Sequence, residues 1–163
     1  MPVRIIGCGN LDRGDDAAGV MVARRLRVLG IDADEQSGES VSLMDSWQGF
    51  ETVIVVDALC SDHAPGEVRI WDACASPLPK AALQCSTHAL GLYEAVELAR
   101  TLDRLPDKLL IYGIEGKQFA PGARPSAEVE KAVESVAQHI VELLQGLCCK
   151  NSVNESGRLQ YIP

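Results

Sequence analysis

Three ionisable side chains are the strongest candidates for chemistry in this sequence: Asp16, Asp57 and His88. We expect them on three separate loops at one edge of a sheet, where ligands of α/β folds bind. Two carboxylates and one imidazole form a mixed oxygen–nitrogen donor set, which suits a divalent transition metal used for chemistry. Storage of a soft metal would require thiolates, and a magnesium site would not usually recruit a histidine.

Asp57 follows the most apolar segment of the chain, the run Val53-Ile54-Val55-Val56. A carboxylate beside such a strand loses hydration and requires a compensating cation or metal. The alternative is a carboxylate that only caps a turn or pairs with a base. We favour the functional interpretation, because carboxylates at strand ends of such sheets are so often site residues.

Asp16 and His88 have plainer alternatives. Asp15 and Asp16 both stand where a helix begins, so capping and the helix dipole explain an acidic pair there. We assign the capping role to Asp15 and keep Asp16 as a ligand because Asp57 and His88 converge on it. His88 is predicted in the first turn of a helix, where the dipole favours the neutral imidazole that binds metals. Its alternative is a surface histidine without a role, and His63 and His139 are weaker candidates.

The segment Gly7-Cys8-Gly9-Asn10 begins like a dinucleotide-binding fingerprint but does not complete it, because Asp12 stands where the third glycine is required. The chain also has no Gly-x-Ser-x-Gly elbow, which argues against a serine hydrolase. Cys8 and Cys60 lie near the predicted site, although a cysteine beside a buried strand is more often inert. The six cysteines form no Cys-x-x-Cys pair, so we interpret them as free thiols, mostly buried.

The elements that must position these residues alternate along the chain. Strands are predicted at 3–7, 31–36, 53–57, 67–71 and 109–114, and helices at 17–29, 40–47, 88–102 and from Ser126 to Leu147. This order predicts an α/β fold, a three-layer helix–sheet–helix sandwich with a mostly parallel, twisted sheet of about five strands. We expect one domain over residues 1–147 and a polar tail over residues 148–163.

The composition of the chain limits the classes of partner that it could bind. The chain has 163 residues, which is the size of one ordinary domain, and a net charge of −8. A surface with this net negative charge repels phosphate backbones, and we therefore expect no nucleic-acid partner. No apolar run approaches the roughly 18 residues of a membrane span, and the N-terminus lacks the features of a signal peptide. We therefore expect a soluble, cytoplasmic protein with no membrane partner.

Several motifs, in this order, give the sequence a resemblance to a known family. They are Gly7-x-Gly9-Asn10, Asp15-Asp16-Ala17-Ala18-Gly19-Val20, Val55-Val56-Asp57-Ala58, Pro65-Gly66, His88-Ala89-Leu90-Gly91-Leu92 and Gly113-Ile114-Glu115. Across residues 3 to about 145, the sequence resembles the [NiFe] hydrogenase maturation proteases. The resemblance implies an endopeptidase that removes the C-terminal extension of a hydrogenase large-subunit precursor after nickel insertion.

The resemblance also implies roles for individual residues. Asp16, Asp57 and His88 would be the catalytic residues and would bind nickel that the substrate supplies, with no permanent cofactor in the enzyme. Gly9 and Asn10 would orient the substrate chain. The first acid is often glutamate in this family, so the side chain of Asp16 is one methylene shorter than the usual one. Gly113-Ile114-Glu115-Gly116 also departs from the Gln-Pro-Glu pattern of some members and implies a different large-subunit partner.

Three alternatives stay open on the sequence alone. The first is a maturation chaperone that senses the metal centre without cleaving, and the second is a Rossmann-like module that binds a small ligand. The third is a metal-independent protease in which Asp16 and Asp57 form an acid–base pair. Nickel-dependent loss of mass from a precursor would separate the proposed protease from all three.

Overall fold

The computed structural model describes residues 2–83 and 91–150, with side chains as far as Cys148. The elements follow in the order β1 (Val3–Cys8), α1 (Ala18–Val28), β2 (Asp34–Gln36), α2 (Ser40–Ser46), β3 (Thr52–Leu59), β4 (Val68–Asp72), α3 (Leu92–Thr101), β5 (Lys108–Glu115) and α4 (Ala127–Lys150). A short 3-10 turn, Gly14–Ala17, leads directly into α1.

The five strands form one sheet in the order β2-β1-β3-β5-β4. Three of the pairings are parallel, and only the edge strand β4 runs antiparallel, against β5. The chain passes from β1 to β2 on one side and then crosses to β3 on the other side of β1. The strand order therefore reverses between β1 and β3, and such a switch point opens a crevice at the carboxyl ends of the two strands.

Helices cover both faces of the sheet, so the predicted three-layer α/β architecture is confirmed. On one face, α1 and α4 pack against side chains such as Ile54 and Tyr112. On the other face, α2 and α3 pack against alternate residues of the same strands, such as Val53 and Ile111. Every residue of β3 is buried, as the uninterrupted apolar run predicts for a central strand.

Element bounds differ from the sequence-based ones in a few places. β2 is limited to Asp34–Gln36, and β4 is the half-buried edge strand that alternation predicts. α3 begins at Leu92, later than the predicted start near His88, because the Gly91 N–H is capped by the Glu94 carboxylate at 2.9 Å. α4 continues to Lys150, beyond the predicted limit at Leu147. The division into a domain and a tail stays a prediction, since residues 151–163 lie outside the described part.

The cysteines are less buried than predicted. Among the described residues Cys8, Cys60, Cys74 and Cys148 are free thiols, but only Cys8 is buried, and Cys60 and Cys148 are exposed. None of the helices within the described ranges combines the length and the hydrophobicity that crossing a membrane requires.

Candidate active site

Asp57 lies within β3, which continues for two residues beyond the predicted strand end at Asp57. It is 8% exposed, and its Oδ1 accepts a hydrogen bond of 2.8 Å from the N–H of Ala58. Burial raises the pKa of Asp57 to about 7, with a further upward contribution from the charge of Asp16 and an opposing one from the Ala58 hydrogen bond. This carboxyl group can therefore hold or release a proton near neutral pH.

Asp16 lies in the 3-10 turn that precedes α1, and it is 7% exposed. Its backbone is held on both sides, because its N–H donates to the Arg13 carbonyl at 3.1 Å and its own carbonyl accepts from the Asn10 N–H at 3.3 Å. The turn thus fixes Asp16 against the loop that leaves β1. Its charge acts on Asp57, so the structure brings the two predicted acids into one site.

Glycines make this close approach possible. A Cβ atom on Gly7 would lie 2.0 Å from the Gly19 carbonyl oxygen, and one on Gly19 would lie 2.2 Å from the Val56 carbonyl oxygen. Both distances are shorter than any real Cβ contact, so larger residues would push α1 off the ends of β1 and β3. These glycines therefore allow α1 to pack closely against the strands. In a dinucleotide-binding motif, the glycines would instead make room for a pyrophosphate.

Cys8 is the third ionisable group beside the two acids. Its side chain is fully buried, and burial together with the charges of Asp57 and Asp16 raises the pKa of its thiol well above its usual range. A thiol held protonated in this way is a poor nucleophile, which argues against catalysis by Cys8. Within the described ranges no three His, Cys, Asp or Glu side chains are placed to hold a metal ion. The predicted third ligand, His88, lies outside the described residues.

An open cleft of about 530 Å³ lies beside Asp16. Its walls are the loop after β1 and the end of β2, and its lining residues are Gly9, Asn10, Leu11, Asp12, Asp16, Val20, Glu35, Gln36 and Ser37. Both predicted substrate-orienting residues, Gly9 and Asn10, are among them. The Oδ1 atom of Asn10 accepts the Asp12 N–H at 2.9 Å, so this amide also shapes its own loop.

Asp15 does not cap its own helix, which corrects the sequence-based assignment. Its carboxylate is fully buried and accepts hydrogen bonds from the backbone N–H groups of Lys117, Gln118 and Ser126 and from the Ser126 hydroxyl. All four donors belong to the segment between β5 and α4. Capping requires only neighbours in sequence, whereas these partners lie about a hundred positions away, and no local pattern indicates them.

The two other histidines lie in other contacts. His63 Nδ1 lies 3.0 Å from a Glu67 oxygen in the connector before β4. His139 is half-buried and not on the solvent side as predicted, because its Nδ1 lies 3.1 Å from the Tyr112 hydroxyl.

Sequence reasoning gave no role to Glu115, the last residue of β5. It is fully buried and accepts from the Ser61 N–H at 2.6 Å, from the Ser61 hydroxyl at 2.8 Å and from Arg69 Nη2 at 3.2 Å. The same signal that selects Asp57, a carboxylate directly after a buried apolar run, also marks Glu115. This network fixes the start of the β3–β4 connector.

Comparison with known proteins finds relatives of this sequence. A family model described as hydrogenase maturation protease matches residues 28–143. A candidate hydrogenase maturation protease of Methanocaldococcus jannaschii is 30% identical over 153 residues, covering 85% of this chain and 94% of the relative.

Solved structures show the same fold. The [NiFe] hydrogenase maturation protease HybD of Thermococcus kodakarensis superposes with a TM-score of 0.69 at 26% identity, covering 88% of this chain and 99% of that one. The hydrogenase maturating endopeptidase HybD of E. coli gives a TM-score of 0.72 at 22% identity, covering 90% and 93% of the two chains. The second likeness concerns the fold alone.

Proposed function

The chain belongs to the hydrogenase maturation protease family, and from that premise we propose that it removes the C-terminal extension of a [NiFe] hydrogenase large-subunit precursor once nickel has been inserted. Family membership makes it a hydrolase of peptide bonds and disfavours the chaperone and the small-ligand module. We place the reaction in the cytoplasm, as the free thiols of Cys60 and Cys148 suit a reducing compartment.

One observation supports the proposal: where the strand order reverses, two buried carboxylates lie close enough for the charge of Asp16 to raise the pKa of Asp57, and an open cleft borders Asp16. Two acids that share a site repel each other, which is why the charge of Asp16 raises the pKa of Asp57. A divalent cation between them would turn this repulsion into attraction. The site is therefore suited to receive a cation, and we assign His88 as the third donor.

This electrostatic argument accounts for a protease that waits for metal insertion. A precursor without nickel would not present the metal centre that we propose Asp16 and Asp57 bind. Nickel that arrives with the substrate would supply Lewis-acid polarisation of the peptide carbonyl next to it. Asp16, Asp57 and His88 would dock that centre, and docking would present the scissile bond in one orientation.

The chain's own residues would handle protons and orientation. The carboxylate of Asp57 could accept a proton from the attacking water through an oxygen that does not bind the metal. The proton would then pass to the amine of the leaving peptide, which balances the hydrolysis. The cleft beside Gly9 and Asn10 would hold the substrate chain, with the Asn10 Nδ2 group as a donor to its backbone.

Intact-mass spectrometry tests this function. Nickel-loaded and nickel-free large-subunit precursors are incubated with the wild type, with Asp57→Asn and with Asp72→Asn. Asp72 is a matched control, because its Oδ1 also accepts a backbone N–H, that of Cys74 at 3.0 Å, on the far edge strand. With the wild type, we expect only the nickel-loaded precursor to lose a C-terminal peptide. Asp72→Asn should cleave this precursor as the wild type does, and Asp57→Asn should not cleave it.

Other outcomes point to other functions. Stable binding of the loaded precursor without loss of mass would indicate a metal-sensing chaperone. Equal cleavage of loaded and nickel-free precursor, with activity preserved in a strong chelator, would replace the nickel-dependent mechanism by an acid–base pair of Asp16 and Asp57. Full activity of Asp57→Asn would contradict the assigned site.

A further inference from the structure

We propose that Asp15 is a positioning residue that works together with Ser126, and that this pair sets where the Asp16 carboxylate stands relative to Asp57. The inference rests on the proposed function, in which both acids bind the substrate's metal centre. It assigns a mechanistic task to a carboxylate that is not among the residues lining the cleft.

The contacts of Asp15 are too many for an ordinary helix cap. Its Oδ2 accepts the N–H groups of Lys117 at 2.7 Å and Gln118 at 3.0 Å, and its Oδ1 accepts the Ser126 N–H at 2.6 Å. The Ser126 hydroxyl adds contacts of 3.0 and 2.9 Å to the two oxygens. In the part of the chain that the structure describes, no lysine or arginine pairs with this carboxylate. Backbone N–H groups and the amino end of α4 hold its charge instead.

Backbone hydrogen bonds reinforce the same connection. The Asp15 N–H donates to the Gln118 carbonyl at 2.8 Å, and the Gly14 N–H donates to the Ala123 carbonyl at 3.1 Å. In return, the Gly122 N–H donates to the Asp12 carbonyl at 2.6 Å. The loop before α1 is thus tied along its length to the segment that follows β5.

That segment is fixed in turn to the strand that carries Asp57. β5 pairs with β3 over eight consecutive residue pairs, among them Asp57 with Gly113. The segment at 117–126 leaves from the end of β5, so Asp15 ties the turn that holds Asp16 to the frame of β3. Asp16 is the next residue along the chain, and its N–H and carbonyl already have backbone partners. A change at Asp15 or Ser126 therefore shifts Asp16 relative to Asp57 without altering either acid.

Two substitutions release this connection to different degrees. Ser126→Ala removes only the hydroxyl and keeps the N–H bond to Asp15, so it should fold normally. Asp15→Asn is the stronger change, because both carboxylate oxygens of Asp15 accept N–H groups. In either orientation of the asparagine amide, its NH₂ group would face donors and would replace an acceptor. The matched controls are Ser135→Ala, whose hydroxyl bonds only the Lys131 carbonyl on the outside of α4, and Asp72→Asn.

The test measures Ni²⁺ affinity by calorimetry, at a temperature where every variant is folded, together with kcat/KM on nickel-loaded precursor. Outer partners of metal ligands typically change affinity or activity by 10- to 100-fold. We expect Ser126→Ala to weaken Ni²⁺ binding and to lower kcat/KM, each by about tenfold. Asp15→Asn should reduce both quantities further. Both control variants should match the wild type. In an Asp16→Asn background, Ser126→Ala should add no further loss, because its effect passes through Asp16.

Contrary results are equally definite. A lower melting temperature with unchanged Ni²⁺ affinity and kcat/KM in both Ser126→Ala and Asp15→Asn would reduce the pair to a purely structural role. A full Ser126→Ala loss that persists in the Asp16→Asn background would show that Ser126 does not act through Asp16. If Asp16→Asn itself changes neither Ni²⁺ affinity nor cleavage, the proposed function fails. If Asp16→Asn matters and Ser126→Ala does not, only the positioning inference fails.

Discussion

A Cβ atom on Gly9 would lie 1.9 Å from the carbonyl oxygen of Asp16, so the loop after β1 and the turn before α1 approach each other only because residue 9 lacks a side chain. Gly9 also has a φ of +144°, which other residues rarely adopt. The sequence assigns Gly9 to substrate orientation, and the structure adds a second requirement. Asp16 can occupy its position beside Asp57 only if residue 9 is glycine.

Gly9→Ala is therefore expected to displace Asp16 and to remove most of the protease activity. The contact and the backbone strain together should destabilise the protein by about 2–4 kcal/mol. Gly49→Ala is the control, because Gly49 also has a positive φ, +84°, but no atom lies within 4 Å of an added Cβ. It should cost only about 1–2 kcal/mol and leave kcat unchanged. Equal loss of kcat in both variants would contradict the steric explanation.

Asp57→Asn should stabilise the protein at high pH while it abolishes cleavage. An unfolded aspartate titrates near about 3.9, and Asp57 titrates at about 7 in the folded protein. The native state therefore binds a proton that the unfolded state has released, and stability falls as pH rises from about 4 to about 7. Asparagine carries no such charge and keeps an oxygen to accept the Ala58 N–H.

Urea unfolding at several pH values measures this effect. The gain from Asp57→Asn should be near zero at about pH 4, grow up to about pH 7 and stay constant above it, at up to about 4 kcal/mol. Asp72→Asn is the matched control, because Asp72 also accepts a backbone N–H through its Oδ1 atom. A gain for Asp57→Asn that does not vary with pH would show that ionisation of Asp57 is not the cause.

Periodicity in the sequence was sufficient for the fold. The uninterrupted apolar runs at 53–56 and 109–114 predict strands buried on both faces, and β3 and β5 are such neighbours in the sheet. The alternation at 67–71 predicts an edge strand, and β4 is one. The predicted start of α3 near His88 is wrong, because Gly91 and Glu94 form the cap of this helix. A glycine followed three residues later by a glutamate is here a better signal of the helix start than the histidine and threonine upstream.

The site was less accessible to sequence reasoning. Asp57 could be selected because it ends a predicted strand, where parallel sheets bind ligands, and Asp16 because it begins the helix that follows the loop after the first strand at the same edge. The partners of Asp15 and Glu115 could not be predicted, since they lie at 117–126 and at Ser61 and Arg69, far away in sequence. Only tertiary packing brings these donors together. His88 stays a prediction, because it lies outside the described residues.

Asn10→Asp separates the two tasks of this side chain. Aspartate keeps an oxygen that can accept the Asp12 N–H, so the loop should hold its shape and the melting temperature should stay near the wild-type value. It lacks the Nδ2 donor that we assign to the substrate backbone, so KM should rise by about tenfold, as for a lost hydrogen bond of about 1.5 kcal/mol. Asn10→Ala should lose both the loop bond and the donor. Wild-type kinetics for Asn10→Asp would restrict Asn10 to shaping the loop.

Glu115→Gln should destabilise the protein more than any exposed ion-pair variant. Glutamine must direct its NH₂ towards the Ser61 donors or towards Arg69, and Arg69 loses its buried counter-charge. Breaking a buried pair from one side typically costs about 3–5 kcal/mol. Glu128→Gln is the matched control, because its pair with Lys117, at 3.2 Å, is exposed to solvent and should contribute little to stability. Denaturant unfolding of the two variants measures the difference. Equal costs would mean that the Ser61–Arg69–Glu115 network does not fix the connector after β3.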